Sequence, residues 1–285
     1  MRPWLLPAAE RIGRYALNRR GYASRFVETR IARVHAYDAP GGGDLPTTVV
    51  LHGIGSAATP YGPLLARLRK SVRRIVAPEL PGHGFSSQPR EPLTPDRLYE
   101  AVKDTLDELV PEPFVLSGHS LGGALALRYA VDRPSRLRAL VLVSPAGART
   151  TDEEWRELVG AFRLSTTREA RHLLARLYHR PPWFLPALGS EFLATLDRPA
   201  VRHLLDTATL ADAPAPDELR SLRVPLLLVW GRSERLLPRS ALAYFRANLP
   251  AETVVLEPEG FGHCPHLDDP ARLADQIITF LRGLP

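Results

Sequence analysis

The sequence predicts an α/β fold in which a mostly parallel central sheet is flanked by helices and carries an inserted helical cap. First, short apolar runs of strand length alternate with segments of helical periodicity, which is typical of a buried parallel sheet. Second, the alternation stops between about Ala148 and Asp217, where prolines interrupt helical periodicity and no strand pattern occurs. The chain has 285 residues, of which 45% are hydrophobic and 24% are charged. This composition is typical of a globular protein that buries a large core.

The elements are predicted in chain order from the period of the apolar residues. Seven apolar runs bounded by turn residues predict strands: Arg30–Tyr37, Thr47–His52, Arg74–Ala77, Phe114–Ser117, Leu137–Val143, Val224–Trp230 and Thr253–Leu256. Five segments between them repeat apolar residues every three or four positions and predict helices: Tyr61–Lys70, Asp96–Val110, Leu121–Val131, Arg239–Asn248 and Pro270–Leu281. The predicted units are an N-terminal amphipathic helix in residues 1–25, an α/β core in residues 26–147 and 218–285, and a helical cap in residues 148–217.

The positive charge is concentrated at the N-terminus. Residues 1–36 hold eight arginines against two glutamates, and so account for the whole formal net charge of +6. A nucleic-acid reader needs a basic recognition face and a reading motif, neither of which occurs, so we expect no nucleic-acid partner. Apolar residues at helical spacing lie beside these arginines: Leu5, Ala9, Ile12 and Ala16. We expect residues 1–20 either to contact anionic lipid or to pack on the body of the protein.

Targeting signals and cysteine content constrain the compartment. No run reaches the 18 apolar residues of a membrane span, and no uninterrupted apolar segment marks a secretory signal. The single cysteine, Cys264, excludes an internal disulfide framework and a cysteine-rich zinc site. We expect a cytoplasmic protein, with peripheral membrane contact as the alternative.

A serine motif follows one of the predicted strands. Residues Gly118–Gly122 match G-x-S-x-G directly after a strand and directly before a helix. This context places the serine on a sharp turn at a helix N-terminus, where small neighbours are needed and negative charge is favoured. Ser120 is therefore the predicted nucleophile, the alternative being that it only caps the helix.

Four motifs together resemble the α/β-hydrolase fold superfamily, in its serine esterase and lipase branch with a helical cap. Besides residues Gly118–Gly122, His52-Gly53 is similar to the family's oxyanion turn. Residues 79–86 are similar to its acidic-x-P-G-x-G-x-S loop, with Glu79 where aspartate is usual. Gly262-His263 is similar to its catalytic-histidine loop. The resemblance implies that His263 is the base and that the backbone N–H groups of Ile54 and Leu121 form the oxyanion hole.

The chain order of such a triad is serine, acid and then histidine, which restricts the acid. Glu234 lies three residues after the glycine that follows the strand Val224–Trp230, where the family usually has aspartate. Glu234 is the predicted acid, and a solvent-facing Glu234 is the alternative. Asp152 would be the next candidate, because Asp268 and Asp269 lie too close to His263 in sequence to come from another strand end.

Aromatic residues concentrated in the predicted cap suggest an apolar acyl pocket. Some of them must instead pack the core of the cap itself. The predicted pocket residues, together with three near the oxyanion turn and the serine, are His52, Gly53, His119, Trp155, Phe162, Tyr178, Trp183 and Phe184. No metal-ligand spacing occurs, and the chemistry requires no cofactor.

The predicted function is hydrolysis of carboxylic esters with apolar acyl groups through an acyl-enzyme, as in a carboxylesterase or a monoacylglycerol lipase-like enzyme. The partner is a small-molecule ester, and the oligomeric state is left open. A C–C bond hydrolase on a vinylogous diketone or an acyltransferase with the same triad is the alternative within enzymes. A non-catalytic receptor or scaffold is the alternative of another class.

Overall fold

A computed structural model describes residues 4–284 and contains one eight-stranded sheet in the spatial order β1-β2-β4-β3-β5-β6-β7-β8. The β1–β2 and β2–β4 pairs are antiparallel, whereas β3 to β8 pair in parallel with their neighbours. The predicted α/β fold class is confirmed. The strands are β1 Ala23–Glu28, β2 Arg33–Pro40, β3 Thr48–Leu51, β4 Arg74–Pro78, β5 Phe114–His119, β6 Leu137–Val143, β7 Leu226–Val229 and β8 Val254–Leu256.

Twelve α-helices surround this sheet in the described part of the chain, and two separate apolar cores lie on its two faces. One core includes residues of α3, α4 and α10, and the other includes residues of α1, α2 and α12. The helices are α1 Leu5–Arg19, α2 Gly62–Leu68, α3 Pro95–Leu109, α4 Leu121–Asp132, α5 Asp152–Phe162, α6 Thr167–Leu177, α7 Gly189–Leu196, α8 Pro199–Thr207, α9 Pro216–Arg220, α10 Arg239–Asn248, α11 Pro265–Asp268 and α12 Pro270–Arg282.

The chain between β6 and β7 contains α5 to α9 and no strand within these described residues. Threonines cap two of its helices: Thr151 accepts from the N–H of Glu154, and Thr166 accepts from the N–H of Glu169. In both cases the glutamate side chain returns to the capping residue, which completes a capping box. These helices have a third apolar core of their own, formed among others by Phe162, Leu174 and Phe192. We call residues 148–217 the helical insertion.

The predicted N-terminal helix extends too far towards the C-terminus. The segment predicted as helix over residues 1–25 is helical over Leu5–Arg19, and its first three residues lie outside the described ones. Gly21 then adopts a φ of +82°, which glycine tolerates, and β1 begins at Ala23. β1 has no clear apolar pattern because, as an edge strand, it alternates exposed and half-buried residues and buries only Val27.

No helix within residues 4–284 is both long enough and apolar enough to cross a membrane.

Candidate active site

Ser120 lies on the turn between β5 and α4 in a backbone conformation that few residues adopt. Its φ is +51° and its ψ is −117°. The turn depends on neighbours without side chains: a Cβ on Gly118 would lie 2.2 Å from the carbonyl oxygen of Gly122, and a Cβ on Gly122 would lie 2.5 Å from that of Leu51. Since real Cβ atoms do not approach other atoms this closely, only glycine fits at these two positions. The predicted strand–turn–helix context of Ser120 is present.

The backbone after β3 runs directly beside Ser120. A Cβ on Gly53 would lie 3.2 Å from the Cβ of Ser120, so the following residue, Ile54, is brought to the same side of the turn. Leu121 is the first residue of α4, where the backbone N–H groups have no partner inside the helix. Within residues 4–284, the N–H groups of Ile54 and Leu121 donate to no acceptor. Both predicted oxyanion donors are therefore available to a ligand.

Glu234 and His263 form a buried pair. Nδ1 of His263 lies 2.8 Å from Oε2 of Glu234, and the two side chains are 3% and 2% exposed. Burial raises the pKa of the Glu234 carboxyl, but the attraction of His263 and the N–H groups of Leu236 and Leu237 lower it more, so the net shift is downward. An ionised Glu234 accepts a hydrogen bond from Nδ1–H of His263, which leaves Nε2 of His263 with a free lone pair.

A second histidine supports the loop that carries His263. Nε2–H of His119 donates to the carbonyl oxygen of His263 over 2.7 Å, and Nδ1 of His119 accepts from the hydroxyl of Tyr61 over 2.7 Å. Burial, together with the nearby His263, lowers the pKa of His119 to about 3. His119 is therefore neutral, and its two bonds tie the histidine loop to the turn that carries Ser120.

The His52 ring forms hydrogen bonds with the backbone and does not line a cavity. Its Nδ1–H donates to the carbonyl oxygen of Gly53 over 2.8 Å, and its Nε2 accepts from the N–H of Leu80 over 3.0 Å. Both ring nitrogens are thus used to hold the turn after β3 against the loop after β4. The prediction that His52 contacts substrate is not met, because the ring is absent from the walls of the cavities described below.

Two cavities meet at Ser120. The large cavity has a volume of about 330 Å³, and its wall includes Ser120 and His263. The small cavity has a volume of about 140 Å³, and its wall includes Ser120 and Leu121. Both walls share Ile54, Ser120, Phe162 and Leu236. An acyl group and its leaving group can therefore extend from Ser120 in two directions.

Most of the predicted pocket residues lie on these walls. Gly53, His119, Phe162 and Tyr178 line the large cavity, and Trp155 lines the small one together with Phe162. Burial raises the pKa of Tyr178 to about 12, so its hydroxyl stays protonated.

Two predicted pocket residues are placed elsewhere. Trp183 and Phe184 are 92% and 49% exposed and contact each other edge to face, with ring centroids 5.9 Å apart. They lie in an exposed turn directly after Pro181 and Pro182, and neither ring lines the cavities. Aromatic content alone could not separate them from the lining residues.

The sequence reasoning missed the contribution of α1. Leu6, Ala9, Glu10 and Gly13 all line the large cavity, so α1 forms part of its wall. Burial raises the pKa of Glu10, although the charge of Arg198 opposes the shift. These four residues have the i, i+3, i+4 and i+7 spacing of one helix face. The small residues Ala9 and Gly13 could have indicated that this face is directed inward.

The competing acids have other roles. Asp268 accepts from the N–H of Gly262 over 2.7 Å and from that of His179 over 2.9 Å, so it joins the histidine loop to the helical insertion. Asp152 is exposed in the first turn of α5, and it is absent from both cavity walls.

One cluster of possible metal ligands lies behind the site. Ligand atoms of His119, Cys264 and His266 lie within 4.8 Å of one another, and all three residues are buried. However, both nitrogens of His119 are already engaged, and burial raises the pKa of the Cys264 thiol well above its ordinary value. The thiolate that metals require is therefore disfavoured, and His266 instead stacks on Tyr61 with ring centroids 3.8 Å apart.

Comparisons with known proteins agree with this arrangement. A family model described as "Alpha/beta hydrolase family" matches residues 48–276. An uncharacterized protein of Mycobacterium tuberculosis is 30% identical over 275 residues, covering 84% of this chain and 76% of that protein. A pimeloyl-[acyl-carrier protein] methyl ester esterase of Neisseria meningitidis is 28% identical over 249 residues, covering 82% of this chain and 76% of the esterase. The crystal structure of a bacterial membrane phospholipase A superposes with a TM-score of 0.82 at 23% identity, covering 98% of this chain and 91% of that one.

Proposed function

Since the chain belongs to the alpha/beta hydrolase family, we propose that it is a serine hydrolase that cleaves carboxylic esters with apolar acyl groups. The observation that carries the proposal is the 2.8 Å contact between Glu234 and His263, because the imidazole of His263 lines the same cavity as Ser120. One fold can support several chemistries, so the residues of the site, and not the fold, support the choice of reaction.

The proposed reaction has two halves. Nε2 of His263 takes the hydroxyl proton of Ser120 while Oγ attacks the ester carbonyl carbon, and the N–H groups of Ile54 and Leu121 stabilise the negative charge on oxygen. The imidazolium then gives its proton to the departing alkoxide, which leaves as the alcohol. In the second half water gives a proton to His263 and its oxygen attacks the acyl-enzyme, so the acid is released and Ser120 recovers its proton.

The positions of His263 and of the proposed oxyanion donors support a different occupant for each cavity. The leaving alcohol must receive its proton from His263, and the large cavity is the one whose wall contains His263. The acyl chain extends to the other side, past Leu121, into the small cavity. An engineered cavity of about 150 Å³ holds benzene, so 140 Å³ fits an acyl chain of about six carbons.

The wall of the large cavity also limits the substrate's charge. Glu10 is the one carboxylate among its described lining residues, and no lysine or arginine is among them. A substrate with a carboxylate on the alcohol side would meet no lysine or arginine there, which favours a neutral ester. The same argument disfavours C–C hydrolysis of anionic substrates.

A fluorophosphonate probe and a series of nitrophenyl esters test the proposal. We expect the protein to be labelled and to hydrolyse short and medium acyl esters, whereas Ser120→Ala abolishes both activities. Ser56→Ala is the matched control, because Ser56 lines the same cavity and is not assigned to the reaction. Full labelling of Ser120→Ala, or activity within tenfold of the unaltered protein, would contradict the assignment, and an unlabelled native protein would favour a non-catalytic scaffold.

Filling each cavity separately tests the assignment of its occupant. Val159→Phe narrows the small cavity and is expected to shift the preference towards shorter acyl chains with one fixed alcohol. Leu188→Trp narrows the large cavity and is expected to shift the preference towards smaller alcohols with one fixed acyl group. The opposite pattern would exchange the two subsites while leaving the hydrolase proposal intact. Release of product with methanol as acceptor, in preference to water, would favour an acyltransferase.

A further inference from the structure

Exposed large apolar side chains of the described chain concentrate around the large cavity. Eight such residues are exposed, and seven of them belong to segments that line this cavity. Four are on α1 or immediately before it, two directly precede the lining residue Leu185, and one lines the cavity itself. The seven are Trp4, Leu5, Ile12, Tyr15, Trp183, Phe184 and Leu267, and the eighth, Val254, lies on the edge strand β8.

The two faces of α1 have opposite roles. Leu6 and Gly13 face the large cavity, and Leu17 is buried in the core below it. The outer face holds Ile12 and Tyr15, which are 70% and 67% exposed. A surface helix normally turns its polar residues to solvent, so an apolar outer face requires a partner that this structure does not contain.

Charge on the same helix identifies the kind of partner. Arg11 and Arg19 are exposed beside Ile12 and Tyr15, whereas the one acidic residue of α1, Glu10, faces the cavity. The outer face is therefore basic and apolar together, and an aromatic residue with a polar tip is suited to a lipid–water boundary. A second copy of the chain fits poorly, because a two-fold contact would place this basic face against itself.

We propose that the outer face of α1 docks the protein on an anionic lipid surface, with the helix parallel to the surface. Trp183, Phe184 and Leu267 contribute further apolar contacts around the cavity. In this orientation the large cavity lies next to the lipid, so an apolar substrate enters it from the membrane without crossing water. The docking is a property of the surface and does not depend on the proposed reaction.

Co-sedimentation with vesicles tests the proposal on the full-length protein. The probes are vesicles of phosphatidylcholine with phosphatidylglycerol and vesicles of phosphatidylcholine alone. We expect binding to the anionic vesicles that is at least tenfold stronger than to the neutral ones, and that falls at least tenfold between 50 and 500 mM salt.

Two pairs of matched variants separate the apolar and the basic contributions. Ile12→Gln with Tyr15→Gln is expected to reduce vesicle binding at least tenfold, whereas Val254→Gln, which also removes an exposed apolar side chain, leaves it unchanged. Arg11→Gln with Arg19→Gln is expected to reduce binding to anionic vesicles more than Arg138→Gln, which removes an exposed arginine on β6. All six substitutions in these four variants are at exposed positions, so hydrolysis of a soluble ester serves as a folding control.

Three results would overturn the docking proposal. One is absence of sedimentation with anionic vesicles at 50 mM salt. Another is a loss of binding in Val254→Gln equal to that in the α1 variant. The third is dimerisation in analytical ultracentrifugation that disappears in Ile12→Gln with Tyr15→Gln, because it would show that a second copy covers this face. Loss of ester hydrolysis with intact vesicle binding would contradict the proposed reaction and leave the docking surface standing.

Discussion

Oε2 of Glu234 lies 2.8 Å from Nδ1 of His263, and Oε1 of the same carboxylate accepts from the N–H groups of Leu236 and Leu237 over 2.7 and 3.1 Å. The backbone donors fix the carboxylate plane, so its second oxygen points at the imidazole without a choice of rotamer. The pair joins the loop after β7 to the loop after β8, two neighbouring strands of the sheet. This geometry is the one that the proposed reaction requires of the residue that orients His263.

The first prediction is that Glu234→Gln lowers kcat by about a thousandfold or more with little change in KM. The amide can donate to Nδ1 and so favours the tautomer in which Nε2 carries the proton and cannot act as a base. Steady-state hydrolysis of a nitrophenyl ester measures both constants.

Two further variants decide whether this effect is specific. Asp152→Asn and Asp268→Asn remove the competing carboxylates. We expect Asp152→Asn to retain full activity, because Asp152 is exposed in the first turn of α5. Asp268→Asn should lower the free energy of unfolding and change kcat little, since the carboxylate of Asp268 accepts from the backbone N–H groups of Gly262 and His179. A kcat for Glu234→Gln within tenfold of the unaltered protein would move the acid elsewhere.

The second prediction contrasts two glycine substitutions in helices. Gly122→Ala places a Cβ 2.5 Å from the carbonyl oxygen of Leu51 and should destabilise the protein by several kcal/mol or prevent folding. Gly160→Ala in α5 meets no atom within 4 Å and should stabilise the protein by about 0.5–1 kcal/mol. Urea unfolding measures both changes. An unchanged midpoint in Gly122→Ala would show that the turn beside Ser120 can move aside.

Elements with a strong local pattern could be predicted from the sequence. β6 was located to the residue, because Leu137–Val143 is an apolar run with no competing helical period. The relation between Gly118, Ser120 and Gly122 was also accessible, since small residues at fixed spacing reflect one backbone turn. These features depend on interactions within a few residues along the chain.

Features that depend on tertiary contacts could not be predicted in the same way. The inner face of α1 shows why. Glu10 would be placed in solvent by its residue type, yet the helix position directs it into a cavity formed with residues of the distant α7 and of the 3₁₀ turn Leu185–Leu188. Trp183 shows the reverse, because an aromatic residue with 92% exposure contradicts the usual preference of its type. The burial of a side chain depends on its tertiary contacts, and residue type indicates burial only on average.

The third prediction concerns stability against acid. Burial lowers the pKa of His52 to about 3, of His83 to about 4 and of His119 to about 3, and it lowers the pKa of His266 well below its ordinary value. Between about pH 6.5 and pH 4 the unfolded chain therefore binds four protons that the native protein does not. The free energy of unfolding should fall as the pH falls through this window, by up to about 5 kcal/mol per pH unit.

Urea unfolding at pH 7.5, 6.0 and 5.0 measures this slope. His83→Gln removes one of the four proton sites while retaining an acceptor for the N–H of Gly55 and a donor for the carbonyl of Pro81, so the slope should decrease by about a quarter. His172→Gln, which removes an exposed histidine on α6, should leave the slope unchanged. Equal stability at pH 7.5 and pH 5.0 would show that these rings are protonated in the native protein.

The last prediction is that Glu191 holds α1 in place. The helix has no side-chain cap of its own, and the carboxylate of Glu191 on α7 accepts from the N–H groups of Trp4, Leu5 and Leu6 over 2.9, 3.1 and 3.3 Å. These N–H groups are the positive end of the helix dipole, and their bonds lower the pKa of Glu191 in spite of the opposing effect of burial. The contact therefore fixes the end of α1 that bears Leu6, part of the large cavity wall.

Glu191→Ala should remove about 1 kcal/mol of stabilisation from the helix start and accelerate amide hydrogen exchange in Leu5–Arg19. Because the wall loosens while Glu234 and His263 are untouched, KM should rise for esters with a large apolar alcohol and kcat should change little. Glu191→Gln keeps one acceptor oxygen and should give an intermediate exchange rate. Glu252→Ala, which removes an exposed glutamate near β8, should match the unaltered protein. If exchange in α1 were equally slow in Glu191→Ala, the apolar contacts of Leu17 alone would hold the helix.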